Sequence, residues 1–290
     1  MFCEKNVFDF GNIEKNQQII KDNWAQFRTD LEQGLFLYDN VEMATKSLFL
    51  RVFDDLHGNM SSKMQRPLKD IEKNILLRGT ILSEGEKPNY SRMLPDKKYI
   101  TCGNRFSPKG VEWLYLSVGK CIEEALECSR AECRANNKRF AYCIFEIDDA
   151  HKHELLVDLT ISDHLSTKKI NDALEEVAKT QRNKCIKASR ELGVPVKLSP
   201  RAKMIMVDEI KEWYLKTYMK LLSEQIFLPL KDSDDKDKMY APFQCLAQYF
   251  ASKGYVGIVY KSTVSERGKN VVFFDKRIAR PTGDIVIEEI

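Results

Sequence analysis

An α+β architecture, a mixed β core surrounded by helices and preceded by an N-terminal helical module, follows from three features of the 290-residue chain. From residue 12 to about 75, apolar residues recur at three- and four-residue steps, the period of helices. From Leu76 onward, short apolar runs bounded by polar residues alternate with further helical stretches. With 13 glycines and 9 prolines, the chain has too few turn residues for a sandwich of many short strands. No apolar run approaches the length that spans a membrane.

The elements follow in order. Ile13, Ile19, Ile20, Trp24 and Phe27 share one helical stripe, and Phe49, Val52, Phe53 and Leu56 another. Pro67 can open a further short helix. The run LLRGTIL (76–82) reads as the first strand, and VEWLYLS (111–117) as the second, followed by a helix over 120–135. FAYCIFEID and ELLVDLTI are two more strands. A helical insertion at about 164–239 places Ile210, Trp213, Tyr214, Tyr218, Leu221 and Leu222 on one face, and the mixed-charge run 231–238 reads as a solvated loop. FQCLAQYFASKG is a helix stopped by Gly254. YVGIVYKS and NVVFFD close the chain as a strand pair turned at SERGKN. The division expected is a helical module over 1–75 and an α+β domain over 76–290 that carries the insertion.

The 46 basic and 43 acidic residues give a net charge of +3, with the signs interspersed and no basic stripe, so nucleic acid is not an expected direct partner. Eight cysteines lack CxxC spacing and do not combine with the four histidines, so no metal site is expected and the cysteines read as free thiols. The N-terminal MFCEKNVFDFGNIEKN has no unbroken apolar core of a secretory signal, so a cytoplasmic location is expected.

Five clusters carry candidate chemistry: Arg78 inside an apolar strand, Arg105 in the irregular loop GNRFSPKG, Tyr115 on the second strand, Glu132 and Arg134 in AECRA, and Ser262 at a strand end. A buried arginine needs an anionic partner or ligand. Guanidinium forks grip phosphate oxygens, and a carboxylate accepts from ribose hydroxyls, so this set suits a phosphorylated, ribose-bearing ligand. Any one Arg–Glu pair is more often a structural ion pair, and strand tyrosines are usually core.

In the order LLRGTIL, GNRFSPKGVEWLYLS, AECRA, then Tyr240, Gln244, Gly257, Ile258, Tyr260, Ser262 and Asn270, the chain resembles the RES-domain family, the NAD-consuming toxins of RES–Xre toxin–antitoxin modules, over about residues 76–276. The resemblance implies an ADP-ribosyltransferase-like core that takes NAD as substrate, with no prosthetic group, and an inhibitory Xre-like antitoxin as partner. It implies catalytic roles for Glu132, Arg78, Tyr115 and Ser262, and NAD binding by Arg105, Gln244, Tyr260 and Asn270. The chain departs from the family in a longer Tyr115–Glu132 spacing, which makes Glu127 the alternative carboxylate, and in Val256 where an acid is common. The expected activity is cleavage of the nicotinamide–ribose bond by a toxin or anti-phage defence effector, with water, phosphate or a protein side chain as acceptor. Two other readings stand beside it: a non-enzymatic sensor of NAD or ADP-ribose, and a HEPN-type ribonuclease using Arg51 and His57. His151 and His153 read as an exposed pair. A homo-oligomer is compatible with every reading.

Overall fold

The computed structural model describes residues 8–226, 235–265 and 268–288. Asn12 accepts the Lys15 amide at 3.0 Å and so starts α1 (Ile13–Glu32), which buries Ile13, Ile20, Trp24, Phe27 and Leu31 on one stripe. A single turn, α2 (Val41–Ala44), precedes α3 (Leu48–Met60), whose Ser47 cap accepts the Leu50 amide and whose buried face is Phe49, Leu50, Phe53 and Leu56. The stretch expected to be helical to about 75 then changes type. Gln65–Pro67 is a strand, β1, and Pro67 caps the turn α4 (Leu68–Ile71).

β2 (Ile75–Ile81) leads through the turn α5 (Tyr90–Met93) to β3 (Leu114–Gly119), α6 (Ile122–Cys133), β4 (Phe140–Ile147) and β5 (Leu155–Asp158). Two long helices follow, α7 (Thr167–Leu192) and α8 (Pro200–Ile226). The expected stripe on α8 is inward: Trp213, Tyr218, Leu221 and Leu222 are buried, with Ile210 and Tyr214 packed beside them. Next comes α9 (Lys236–Ser252), which starts seven residues before Phe243 and carries Pro242 inside it. Lys236–Lys238 of the run expected to be loop are therefore helix, and 231–234 lie outside the described residues. Gly254, at φ +85°, stops the helix as expected. β6 (Gly257–Lys261) and β7 (Lys269–Phe273) pair antiparallel as expected; residues 266 and 267 of their turn lie outside the described residues. The sequence reading missed β8 (Ala279–Glu288).

The eight strands form one mixed sheet in the order β1-β5-β6-β7-β3-β2-β4-β8, in which β5 and β6 run parallel and the other described neighbours antiparallel. This is an α+β fold. One face, with Val157, Ile258, Tyr260 and Val272, is covered by α1, α3, α8 and α9; the other buries Leu76, Leu114, Leu116, Phe145 and Phe273 with Leu68, Ile71 and Met93.

The detail that matters for function is in the middle of the sheet. β2 and β3 are in register only over Ile75–Leu77 and Ser117–Gly119. Beyond Leu77, β2 continues with β4 to Ile81↔Phe140, while β3 continues with β7 to Leu114↔Phe273. The two strands part there, and each keeps one neighbour. Within the gap the Gly79 carbonyl accepts from Cys133 Sγ at 3.3 Å and the Ile81 carbonyl from Arg92 Nη2 at 3.2 Å.

Candidate active site

At the parting of β2 and β3 lies a cleft of about 290 Å³. Arg78 and Gly79 contribute from β2, Tyr115 and Ser117 from β3, and Ser129, Glu132 and Cys133 from α6; Tyr260 and Asn270 close it from β6 and β7, and Pro95, Ile100, Asn104 and Trp113 from the segment joining β2 to β3. Gly79 is required by packing, because a Cβ there would sit 2.0 Å from Cζ of Phe140 and 2.7 Å from Oγ of Ser129.

The carboxylate of Glu132 is held from two sides. Its Oε1 accepts from Ser262 Oγ at 2.7 Å and from Asn270 Nδ2 at 2.6 Å. Both donors are themselves oriented. Ser262 Oγ accepts the backbone amides of Val264 (3.2 Å) and Ser265 (3.0 Å), which leaves its single proton for Glu132. Asn270 Oδ1 accepts from Ser117 Oγ at 3.2 Å and from Cys128 Sγ at 3.5 Å, which turns its amide nitrogen toward Glu132. Ser262 and Asn270 are buried, whereas Glu132 is exposed at the last turn of α6, so solvent and ligand can reach the carboxylate.

Arg78 supplies the opposite charge. Its Nη1 is enclosed and has no hydrogen-bond partner among the described residues. Burial pushes the guanidinium down to about 10, still cationic at neutral pH. An enclosed cationic donor without an acceptor is costly in the empty protein and complementary to an anionic group in the cleft. Tyr115 and Tyr260 stay neutral phenols because burial raises both. Tyr115 bonds Ser107 through their hydroxyls at 3.0 Å, and Tyr260 meets the ring of Phe106 edge-on at 4.9 Å.

The structure therefore gathers Arg78, Tyr115, Glu132, Tyr260 and Asn270 in one cleft, with Ser262 behind the carboxylate. Arg105 and Gln244 are outside its wall. Gln244 donates to the Asn104 carbonyl at 3.1 Å, and the Arg105 guanidinium lies 5.8 Å from the centre of the Tyr240 ring, so both shape the loop from which Asn104 enters the cleft. Glu127 is exposed and absent from the cleft wall, five residues and about 140° around α6 from Glu132. Arg134 is the exposed left-handed cap of α6 at φ +50°. Gly257 is needed because a Cβ there would be 2.3 Å from the Val272 carbonyl oxygen.

Ser117, Ser129, Cys133, Asn104 and Trp113 are cleft residues the sequence reading did not single out. Ser117 alone had a signal: it lies two residues after Tyr115 on a strand, hence on the same face. The ribonuclease pair is placed elsewhere. His57 Nε2 meets the Tyr255 hydroxyl at 2.9 Å, and Arg51 is exposed on the same helix. His151 pairs with Glu154 at 2.9 Å, and only His153 is exposed. A larger cavity, about 860 Å³, is lined by α7, by Val196 and Leu198 of the segment after it, and by Met206, Phe10 and Ile13, and holds none of the candidate residues.

No family model matches the chain, and no curated protein matches it. Among solved structures, one chain from the M. tuberculosis MbcT–MbcA toxin–antitoxin complex aligns at 12% identity, over 82% of this chain and 93% of that chain, with a TM-score of 0.34.

Proposed function

We propose that the protein cleaves the nicotinamide–ribose bond of NAD and acts as a toxin or defence effector of the RES type, restrained by an inhibitory antitoxin. The observation that carries this reading is the pairing, in one cleft, of a carboxylate fixed by two oriented donors with an arginine whose enclosed Nη1 has no partner among the described residues. The RES-like order of motifs supports it, and the parting of β2 and β3 supplies the cleft in which these residues meet. A cleft of about 290 Å³ is small for a ligand site and suits the nicotinamide–ribose half, with the remainder of the dinucleotide reaching the mouth.

The chemistry follows from the leaving group. Nicotinamide is bound to ribose as a pyridinium cation, so when its nitrogen takes both electrons of the bond it departs neutral and needs no proton. Positive charge develops on the ribose as an oxocarbenium ion, the state also met in glycoside hydrolysis. Glu132 stands ready to stabilise that charge and to accept from a ribose hydroxyl. Ser262 and Asn270 fix it beforehand, so little reorganisation is needed during the reaction. Arg78 takes a phosphate oxygen, and the neutral Tyr115 and Tyr260 flank the rings. Water, inorganic phosphate or a protein side chain then completes the ribose carbon.

Purified protein incubated with NAD and followed by chromatography of free nicotinamide tests this. Wild type releases nicotinamide, and Glu132→Gln reduces the rate by about a hundredfold or more, the range seen when one preorganised electrostatic group is removed. If ADP-ribose binds but nicotinamide is never released, the protein is a sensor. If RNA is cleaved and His57→Ala abolishes that cleavage, the helical module carries the activity.

A further inference from the structure

The α7–α8 hairpin has a distal half that the core does not explain. α7 buries only Ile170, Leu174 and Gln181, and no residue from 182 to 205 is buried. Between residues 179 and 203 the chain carries eight lysines and arginines against one acid, Glu191, which is itself within 3.9 Å of Lys187. The whole-chain balance of +3 conceals this segregation, and over this stretch the signs are not interspersed as expected. Apolar side chains also stand out at the apex: Leu192 is 67% exposed, Val194 56% and Met204 68%.

Position along the helices arranges these into two tiers. At 1.5 Å per residue, Leu192 and Val194 form the apex and Met204 sits about 6 Å in from the start of α8. Lys184, Lys187, Arg190, Lys197, Arg201 and Lys203 are all exposed and lie within about 12 Å of the apex. An apolar apex with a cationic collar is the pattern of a surface that dips to the headgroup–acyl boundary while its charges stay among the headgroups. No helix among the described residues is long and apolar enough to cross a membrane, so such contact would be peripheral. Nucleic acid fits less well: the collar would meet phosphates, but the apolar apex would stay unused, and no aromatic residue between 179 and 203 could stack on a base. A second copy placed tip to tip would oppose two basic ends.

We propose that the distal α7–α8 hairpin docks on an anionic lipid surface, with Leu192, Val194 and Met204 entering the interface and the six cations binding acidic headgroups. The inference is independent of the cleft chemistry. It is tested by flotation of the full chain with vesicles of phosphatidylcholine containing about one third phosphatidylserine, against vesicles of phosphatidylcholine alone, at physiological salt. Wild type floats with the anionic vesicles only. Leu192→Asp/Val194→Asp and Lys184→Glu/Arg201→Glu each lower binding by about tenfold or more, because a charge near the surface and a buried apolar side chain are each worth that order. Every position changed is exposed, so melting temperature and nicotinamide release should match wild type and separate lost docking from lost folding. Equal flotation with both vesicle types, or binding unaffected by either pair, overturns the proposal. Failure to float combined with salt-sensitive binding of duplex RNA reassigns the tip to nucleic acid. A dimer in sedimentation that either pair disperses reassigns it to self-association.

Discussion

Replacing Arg78 with methionine should make the protein more stable and unable to hold its ligand. The guanidinium carries an enclosed Nη1 with no acceptor among the described residues, and burial lowers its pKa. An unsatisfied buried polar group costs about 1–3 kcal/mol relative to an apolar group of similar shape. Methionine keeps an unbranched side chain that can adapt to the same channel, so little cavity cost offsets the gain. For a chain this long, 1 kcal/mol moves the melting temperature by about 2–4 °C, so a rise of several degrees is expected. The assay is calorimetric or fluorescence melting of wild type and Arg78→Met, each with and without ADP-ribose. Wild type should gain melting temperature with the ligand, and Arg78→Met should start higher and gain nothing. A lower melting temperature for the empty variant would show that Arg78 is held by the protein itself, and the argument for an anion at that position would fail.

Three further outcomes follow from the same structure. Gly79→Ala should destabilise the fold by about 1–3 kcal/mol, the usual cost of overpacking, because its Cβ would press into the Phe140 ring; an unchanged melting temperature would show that the sheet yields there. Burial first, and then the nearby Lys253, lower the pKa of His57, so the unfolded chain takes up this proton at a higher pH than the folded one. Stability should therefore be full above the ordinary histidine value of 6.5 and decline as pH falls through it toward the lower folded value; His57→Gln should flatten that decline in melts from neutral to mildly acid pH. Iodoacetamide at neutral pH should modify the exposed Cys102 and Cys121 before Cys128, Cys143 and Cys245, because burial pushes the thiol of Cys128 up to about 11 and those of Cys143 and Cys245 up to about 12. Peptide mass spectrometry checks the order, and early labelling of Cys245 would mean that α9 opens readily.

The strands legible in the sequence are those buried between neighbours. β3, β4, β5, β6 and β7 announce themselves as short apolar runs because most of their side chains are covered, and β2 does so through Leu76 and Leu77. β1 and β8, the two strands missed, are the edges of the sheet. β1 has three residues and ends in Pro67; β8 carries Pro281, shifts register with β4 around Gly283 and has half of its residues exposed. An edge strand needs one neighbour and little apolar alternation, so its sequence carries a weak signal. The start of α9 was missed for a related reason, since a charged first turn and Pro242 look like loop until Phe243 to Phe250 are seen packed into the core.

At the site, residue type alone determined that Arg78, inside an apolar strand, must find an anion, and that the glutamates of AECRA and its approach were the carboxylates to weigh. The sequence also set the helical and strand periods that place Tyr115 and Ser117 on one face. Tertiary structure puts Glu132 in the cleft wall and leaves Glu127 out of it, because that depends on which side of α6 faces β6 and β7, and those strands arrive from more than 120 residues away. It alone made the cleft: the parting of β2 from β3 is a matter of registers with β4 and β7, and pairing across the sheet leaves no mark in the local sequence of either strand.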